Sequence, residues 1–148
     1  MEVDHFDPRW KKEPLQTYAN LFLASRHCNL AKGDYWPSPP DALNGLRLLN
    51  PCVELDYGHH IFEYPPSHPE SHKLVGKTPA GKLHIRILGL NAETFVLERK
   101  QRSELTRQVQ ALQNKATKTG KPIPVEVLDL ISQVESITAK MIPPIDAP

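Results

Sequence analysis

An Asp-His dipeptide, Asp4-His5, stands near the beginning of the chain, and two asparagines, Asn20 and Asn29, follow it. A carboxylate and an amide oxygen suit a hard divalent cation such as Mg²⁺, with coordination positions left open for phosphate and water. Imidazole is the side chain whose ordinary pKa lies nearest neutrality, so a histidine beside such an ion can deprotonate an attacking water. Together these residue types predict one metal site with a base beside it, which are the parts that hydrolysis of a phosphodiester bond needs.

Each polar position has its own expected role. Neighbouring side chains on a strand point to opposite faces, so at a strand end Asp4 can hold the ion while His5 faces the water. Asn29, in a following helix, would give the metal a second oxygen, and Asn20 would hydrogen-bond across the loop to fix the His5 segment. Lys32 lies one turn after Asn29 on the same helix face, where we expect it to contact a phosphate. Only the joint spacing of these residues sets them apart from ordinary surface and turn residues.

The loop after the Asp-His pair is basic and contains an aromatic residue. Arg9, Lys11 and Lys12 are suited to a nucleic-acid backbone, and Trp10 to stacking on a base. Packing of Trp10 onto the small core is an equal alternative. Trp36, directly before a proline, is expected to be a packing anchor.

Four more histidines invite a metal interpretation. His68 and His72 have a spacing found among metal ligands, but His68 lies in a Pro-Ser-His-Pro loop rather than on a helix. His59 and His60 are the second pair, adjacent in the sequence.

Short elements in the first 37 residues must position the polar set. Ser25 is suited to cap the beginning of a helix and Gly33 to end it. A strand, a loop, a second strand and this helix are predicted in turn, at residues 2–6, 7–18, 19–24 and 25–33. The order is that of a compact ββα unit.

The middle segment, residues 38–91, is rich in proline and favours β-structure. The sequences VELDY and HIFEY resemble short strands. KLVGKTPAGKLHIRILGL predicts two strands around a T-P-A-G turn, with His84 and Arg86 on one face of the second.

The last segment, residues 92–148, predicts two helices. Asn91 would cap the first, at about 92–118, and Gly120 lies in the sequence that ends it. The second, at roughly 124–141, would form an antiparallel helical hairpin with it. Its apolar stripe is expected to be core or an interface between copies in a homo-oligomer, and it consists of Val127, Ile131, Val134 and Met141.

Composition bounds the class of protein. With 148 residues, 39% of them hydrophobic and 24% charged, the chain fits one compact globular domain. The two cysteines form no disulfide framework, and no run of 18 apolar residues or signal-peptide pattern occurs. We therefore expect a cytoplasmic protein without a membrane segment.

Positive charge is concentrated on the first of the two C-terminal helices. Seven Lys and Arg residues lie between Glu93 and Lys121, against three acids. An ordinary solvated helix face explains such a pattern, and so does a surface that binds nucleic acid. A protein that only binds the nucleic-acid backbone through this helix is thus one alternative to an enzyme.

The pattern D-H-F-x-P, followed by Y-x-N-L-x-L-A-x-R-x-C-N-x-A-K-G-D-x-W-P, resembles the HNH endonuclease superfamily. Its core is the ββα-metal fold, also called the His-Me finger. The three positions that name the superfamily match His5, Asn20 and Asn29. The resemblance implies His5 as general base, Asp4 and Asn29 as ligands of one Mg²⁺ or Mn²⁺ ion, and Asn20 as the residue that orients the loop. It also implies metal-dependent cleavage of nucleic acid, and we expect DNA as the substrate in preference to RNA.

A weaker resemblance continues through LNPCVELDYGHHIFEY and GKLHIRILGLN to a basic helix with E-R-K. It is to bacterial HNH proteins that act as nuclease subunits beside an ATPase in anti-phage defence, including Septu-type and retron-associated systems. The resemblance implies an ATPase partner for this chain as well. It also places a histidine near the catalytic cleft, which makes His59 and His60 better candidates there than His68 and His72. The final predicted helix matches nothing in that group.

The chain departs from many HNH proteins in its cysteines. Relatives hold a structural zinc with two C-x-x-C pairs, of which the second is reduced here to Ser25 and Cys28. Only three residues precede Asp4, so the first pair is missing too. Because structural zinc needs four ligands, we expect none, and we expect the ββα unit to be held by packing on the middle segment.

The sequence therefore predicts an α+β protein with a ββα-metal core at residues 1–37, a small β-rich segment at 38–91 and a helical hairpin at 92–148. The alternative is a catalytically weakened HNH fold that binds a partner or nucleic acid. The lost cysteines favour that alternative, and the intact polar set speaks against it.

Overall fold

A computed structural model of the chain describes residues 1–12 and 18–120, together with 125, 127–129 and 131–132. It contains helices and two small antiparallel sheets, which confirms the predicted α+β class. The chain divides into two units, Met1–Phe95 and Val96–Pro148. Its elements are β1 (Glu2–His5), β2 (Leu21–Ala24), α1 (Arg26–Lys32), α2 (Pro39–Leu43), α3 (Tyr57–His60), β3 (Ile61–Glu63), β4 (Leu74–Gly76), α4 (Pro79–Ile87) and α5 (Glu93–Thr119), with 3-10 turns at Pro8–Trp10 and Tyr18–Asn20.

The first two strands and the first helix form where the sequence predicts them. β1 pairs with β2 in antiparallel register, with His5 opposite Leu21. Ser25 caps α1, since its hydroxyl accepts a hydrogen bond from the Cys28 backbone N–H at 3.1 Å. Gly33 ends the helix with a φ of +50°, a conformation that glycine adopts without steric cost.

Aromatic rings hold the base of this hairpin. Phe6 packs against Phe22 on β2, with ring centroids 5.6 Å apart, and meets the edge of Trp36 at 5.5 Å. Trp36 is therefore a packing anchor, as expected. Such aromatic pairs stabilise beyond the area that they bury.

Helix α1 also packs onto the segment that follows α4. The ring of His27 lies edge-on to Phe95 at 5.1 Å, and Gly89 comes so close that a Cβ there would lie 2.9 Å from His27 Nε2. Gly89 has a φ of +61°, so glycine serves both the turn and the close approach.

The prediction of a second strand at LHIRIL is wrong, because these residues lie in α4. Thr78 caps the helix by accepting a hydrogen bond from the Gly81 N–H at 3.1 Å, and Pro79 occupies its first turn. T-P-A-G thus begins a helix instead of turning a hairpin. Leu83 and His84 are buried and Arg86 is exposed, so the last two do not share a face.

The middle segment is consequently not β-rich. Of its predicted strands, HIFEY gives β3, whereas VELDY forms no strand and ends in α3. β3 pairs with β4 as a second antiparallel hairpin, and α4 packs on it. Its core consists of Leu49, Ile61 and Ala80, with Tyr57, Leu74 and Ile85 packed around them.

A buried histidine joins α4 to the loop before α3. His84 Nδ1 accepts a hydrogen bond from the Leu49 N–H at 3.1 Å, and the Tyr57 hydroxyl donates to the Leu49 carbonyl at 3.2 Å. Both backbone groups of the fully buried Leu49 are thereby satisfied. Burial lowers the pKa of His84 to about 4 and raises that of Tyr57 to about 12.

Helix α5 (Glu93–Thr119) agrees with the helix predicted at about 92–118, and Gly120 follows it with a φ of +64°. Asn91 braces β4, because its amide accepts from the Leu74 N–H at 2.7 Å and donates to the Leu74 carbonyl at 2.8 Å. Most of the second helix of the predicted hairpin, with Val134 and Met141, lies outside the described residues. In the part of the chain that the structure covers, no helix is long and apolar enough to cross a membrane.

Replacing Gly81 with alanine should severely destabilise the fold. A Cβ at Gly81 would overlap the backbone carbonyl of His60. We expect Gly81→Ala to lower the free energy of unfolding by more than about 3 kcal/mol in urea titration. The control is Gly45→Ala, where the added carbon meets nothing within 4 Å and only the φ of +76° opposes it; its expected cost is about 1 kcal/mol. Equal costs would contradict the close approach.

Lowering the pH should reduce the free energy of unfolding because of His84. Its folded pKa of about 4 lies below the ordinary value of 6.5. The unfolded chain therefore binds a proton that the folded chain excludes, so this stabilisation is complete above pH 6.5 and lost as the pH falls through 4. The loss should total about 3 kcal/mol. Urea titrations across this range should show a shallower dependence for His84→Asn, and an unchanged one for the exposed His59→Asn.

Candidate active site

The inward face of β1 carries two carboxylates that meet polar side chains of α1. Lys32 Nζ lies 3.0 Å from Asp4 Oδ1, and Arg26 Nη1 lies 3.1 Å from Glu2 Oε1. Asn29 Nδ2 donates to Glu2 Oε2 at 3.0 Å. Residues two apart on a strand share a face, and residues three apart on a helix do likewise, which is why these five side chains come together. We call them the β1–α1 polar cluster.

Lys32, from which the sequence led us to expect a phosphate contact, is buried against β1 in this structure. Its side chain is 3% exposed, and its ammonium donates to Asp4 at 3.0 Å and to the His5 carbonyl at 2.6 Å. Lysine is almost never buried without a partner, and here a carboxylate that is itself 12% exposed supplies one. Lys32 thus ties the end of α1 to the strand that carries the Asp-His pair.

The two predicted metal ligands, Asp4 and Asn29, both belong to the cluster and have different hydrogen-bond partners in it. In the described chain the Asp4 carboxylate contacts Lys32, whereas the Asn29 amide contacts Glu2. Asn29 lies one helical turn before Lys32 on α1, and Glu2 lies two residues before Asp4 on β1. Each of these helix residues therefore meets a different carboxylate. Glu2, which sequence reasoning missed, is the residue that binds Asn29, and its position two residues before Asp4 was the available signal.

His5 is the last residue of β1 and carries an unpartnered nitrogen. Its Nε2 atom is buried and makes no hydrogen bond to any described residue. Most buried polar side-chain atoms are hydrogen-bonded, so an exception calls for a water, an ion or a catalytic role. An imidazole nitrogen can accept a proton or bind a ligand, and this one is not committed to a hydrogen bond with any described residue.

Asn20 clasps the other end of the loop that begins after His5. Its Oδ1 accepts a hydrogen bond from the Asp7 N–H at 2.7 Å, and its Nδ2 donates to the Asp7 carbonyl at 2.9 Å. The Phe6 N–H also donates to the Asn20 carbonyl at 2.9 Å. These contacts are the hydrogen bonds across the loop that the sequence led us to expect from Asn20.

Asp7 is a second residue that the sequence did not single out. Its carboxylate forms a two-pronged pair with Arg9, whose Nε and Nη2 donate at 2.9 and 2.6 Å. The hydrogen bonds from Arg9 hold the pKa of Asp7 below its usual range, against the opposing effect of burial. The Arg9 guanidinium lies 4.9 Å above the Trp36 ring as well.

The basic loop therefore differs in part from the prediction. Arg9 is bound to Asp7, and Lys11 forms an ion pair with Asp34, so neither is an uncommitted charge. Both side chains keep surface exposure, and Lys12 is exposed. Trp10 is 44% exposed, so its ring is not packed wholly onto the core, and stacking on a base stays a prediction.

His59 and His60 lie in the second hairpin region and not in the polar cluster. His60 Nδ1 is 2.7 Å from the Thr78 hydroxyl, and its Nε2 is 3.3 Å from Glu54 Oε1. His60 thus supports the beginning of α4. α3 packs on β3 and α4, and a place for these histidines near the catalytic cleft stays a prediction.

The other histidine pair is also engaged locally. His72 is buried at a φ of +65°, and its Nδ1 lies 2.9 Å from Glu63 Oε1. His68 stacks on the Tyr64 ring at 3.7 Å, and its Nδ1 accepts a hydrogen bond from the Glu70 N–H. These contacts order the β3–β4 loop and do not direct the two imidazoles to one point.

A hard divalent cation could be held by oxygens of the β1–α1 polar cluster. Among the residues described, no three His, Cys, Asp or Glu side chains are grouped as a metal site. Mg²⁺ commonly uses only one or two carboxylates and keeps several waters, so such a group is not needed. Asp4 and the Asn29 amide oxygen have the right chemistry, and the unpartnered His5 nitrogen lies at the end of the same strand. These residues fit the ion in kind, with Lys32 as its competitor.

Removing the Asn20 amide should loosen the segment after His5. Asn20→Ala leaves two buried backbone groups of Asp7 without partners, and we expect the free energy of unfolding to drop by about 2–4 kcal/mol. The exposed Asn44, whose amide contacts only its own helix end, provides the control. Asn44→Ala should change stability by less than about 0.5 kcal/mol. Similar losses in both variants, measured by urea titration, would remove the special role of Asn20.

Comparison with known proteins gives the chain no relatives to set beside this site: no family model matches it, and no curated protein or solved structure matches it significantly.

Proposed function

We propose that this chain is a metal-dependent endonuclease of the HNH type, with a ββα-metal core, that hydrolyses phosphodiester bonds in nucleic acid, DNA rather than RNA. The observation that carries the proposal is the buried, unpartnered Nε2 of His5. It lies next in the chain to a carboxylate held against the helix that follows the hairpin. A catalytic base needs such a free nitrogen in a fixed position.

The chain's own residues divide the work in this proposal. His5 Nε2 takes the proton of the attacking water, and Asn20 fixes the backbone on which His5 lies by clasping Asp7. Asp4 and Asn29 would hold one Mg²⁺ or Mn²⁺ ion. When bound, that ion would supply the positive charge that stabilises the leaving oxygen.

Binding of the polymer falls to the loop after His5. Trp10 offers an exposed ring for stacking, and Lys12 an exposed positive charge, with the partly exposed Arg9 and Lys11 beside them. Contacts of this kind follow the backbone and give little sequence preference. Two extensions of the proposal rest on the sequence alone. The resemblance suggests an ATPase partner subunit in anti-phage defence, and the apolar stripe suggests self-association through the C-terminal helices.

The second candidate is a non-catalytic module that binds a partner or nucleic acid. Its supporting observation is the Lys32 ammonium on Asp4, because a carboxylate already paired with a buried cation is less available to a metal. The His5 nitrogen favours the enzyme, because a buried polar atom without a hydrogen bond costs stability unless a water, an ion or a substrate satisfies it.

Cleavage of supercoiled plasmid by purified protein tests the proposal. We expect nicking with Mg²⁺ or Mn²⁺ and none with EDTA. Loss of the general base in His5→Ala should reduce the rate by about 10²- to 10⁴-fold. The matched control is His68→Ala, which removes an imidazole from the β3–β4 loop and should leave cleavage unchanged.

Each alternative predicts a different outcome. Metal-independent binding of plasmid that survives His5→Ala and weakens steeply with salt would favour the nucleic-acid-binding module. Metal-dependent nicking that persists in His5→Ala would exclude His5 as the base. Absence of cleavage and of binding would favour the partner-binding scaffold.

A further inference from the structure

Lys32 is the cation that the structure places on the Asp4 carboxylate. Its side chain and that of Asp4 are 3% and 12% exposed, whereas the surface pair of Lys73 and Glu70 has exposures of 45% and 54%. The ammonium makes a second hydrogen bond, to the His5 carbonyl at 2.6 Å. A buried lysine between the two residues of the Asp-His pair is more than a surface ion pair.

We infer that Lys32 is an internal counter-ion that a divalent cation must displace from Asp4. The inference rests on the proposed function, because it assumes that Asp4 binds the ion. Two cations cannot share a partly buried carboxylate without strong mutual repulsion, which is only weakly screened away from solvent. The ion pair therefore lowers the metal affinity of the site. When no metal is bound, the charge of Lys32 balances that of the Asp4 carboxylate.

Displacement would reach His5 as well as Asp4. The same ammonium that neutralises the carboxylate also holds the carbonyl of the catalytic residue. Moving it away releases two contacts of the strand end together. The freed side chain is long, flexible and positively charged, so it becomes available to an anion such as the phosphate that the sequence suggested for Lys32. The buried position and the expected phosphate contact are then two states of one residue.

The first test is Mn²⁺ binding by the full chain, followed through the electron paramagnetic resonance signal of free Mn²⁺. We expect Lys32→Met to bind Mn²⁺ at least about 10-fold more tightly than wild type, because the competing charge is gone. Lys73→Met, which removes a lysine from the surface pair, should bind like wild type. Asp4→Asn added to Lys32→Met should remove the binding.

A second test uses the wild-type chain, so that it stands even where Lys32→Met fails to fold. Acetylation of each lysine is measured by mass spectrometry with and without Mn²⁺. A buried amine bound to a carboxylate reacts slowly, and displacement should raise the acetylation rate of Lys32 several-fold. The rate at Lys73 should not change.

The outcomes separate this inference from the proposed function. Equal or weaker Mn²⁺ binding by Lys32→Met, or acetylation of Lys32 that does not respond to bound Mn²⁺, overturns the role of Lys32 and leaves the nuclease proposal intact. If Lys32→Met binds Mn²⁺ and wild type does not, the result supports Lys32 as the cation that competes with the metal for Asp4. Absence of binding in both proteins at millimolar Mn²⁺ overturns both the counter-ion and the metal-dependent enzyme.

Discussion

The buried ion pair between Lys32 and Asp4 is the constraint on which the first hairpin and its helix depend. Helix α1 has seven residues, too few to be stable by itself in water. It is held by the pairs that Lys32 and Arg26 make with β1 and by the contact of His27 with Phe95. Removing one partner of a buried pair is costly because the other charge stays behind. The polar site is therefore also part of what holds the fold together.

Asparagine side chains brace the backbone at two places in the same manner. Asn20 pairs with the N–H and carbonyl of Asp7, and Asn91 pairs with those of Leu74. An amide can donate and accept at once, so one side chain substitutes for a missing strand neighbour. Where such a residue occurs in a small protein with two-stranded sheets, a structural explanation deserves the same weight as a catalytic one.

Local signals made the first 37 residues predictable, because caps, glycines and short strands act within a few positions. The same knowledge of caps was misapplied at Thr78, where alternation in LHIRIL suggested a strand although Thr-Pro is a good helix beginning. The burial of Lys32 could not be predicted from the sequence, and neither could the contacts of His60 with Glu54 and Thr78. Both depend on which distant element packs against the residue, and spacing along the chain carries no such information.

The clasp between Asn20 and Asp7 closes the loop at its base, and this separates the geometry of the hairpin from the length of the loop. Lengthening a flexible loop whose ends are fixed adds only a slowly growing entropic cost. A short insertion after Lys12 should therefore cost little stability and leave the backbone that carries His5 in place. The loop is a segment in which evolution, or an engineer, can alter the preference for a polymer while the imidazole keeps its position.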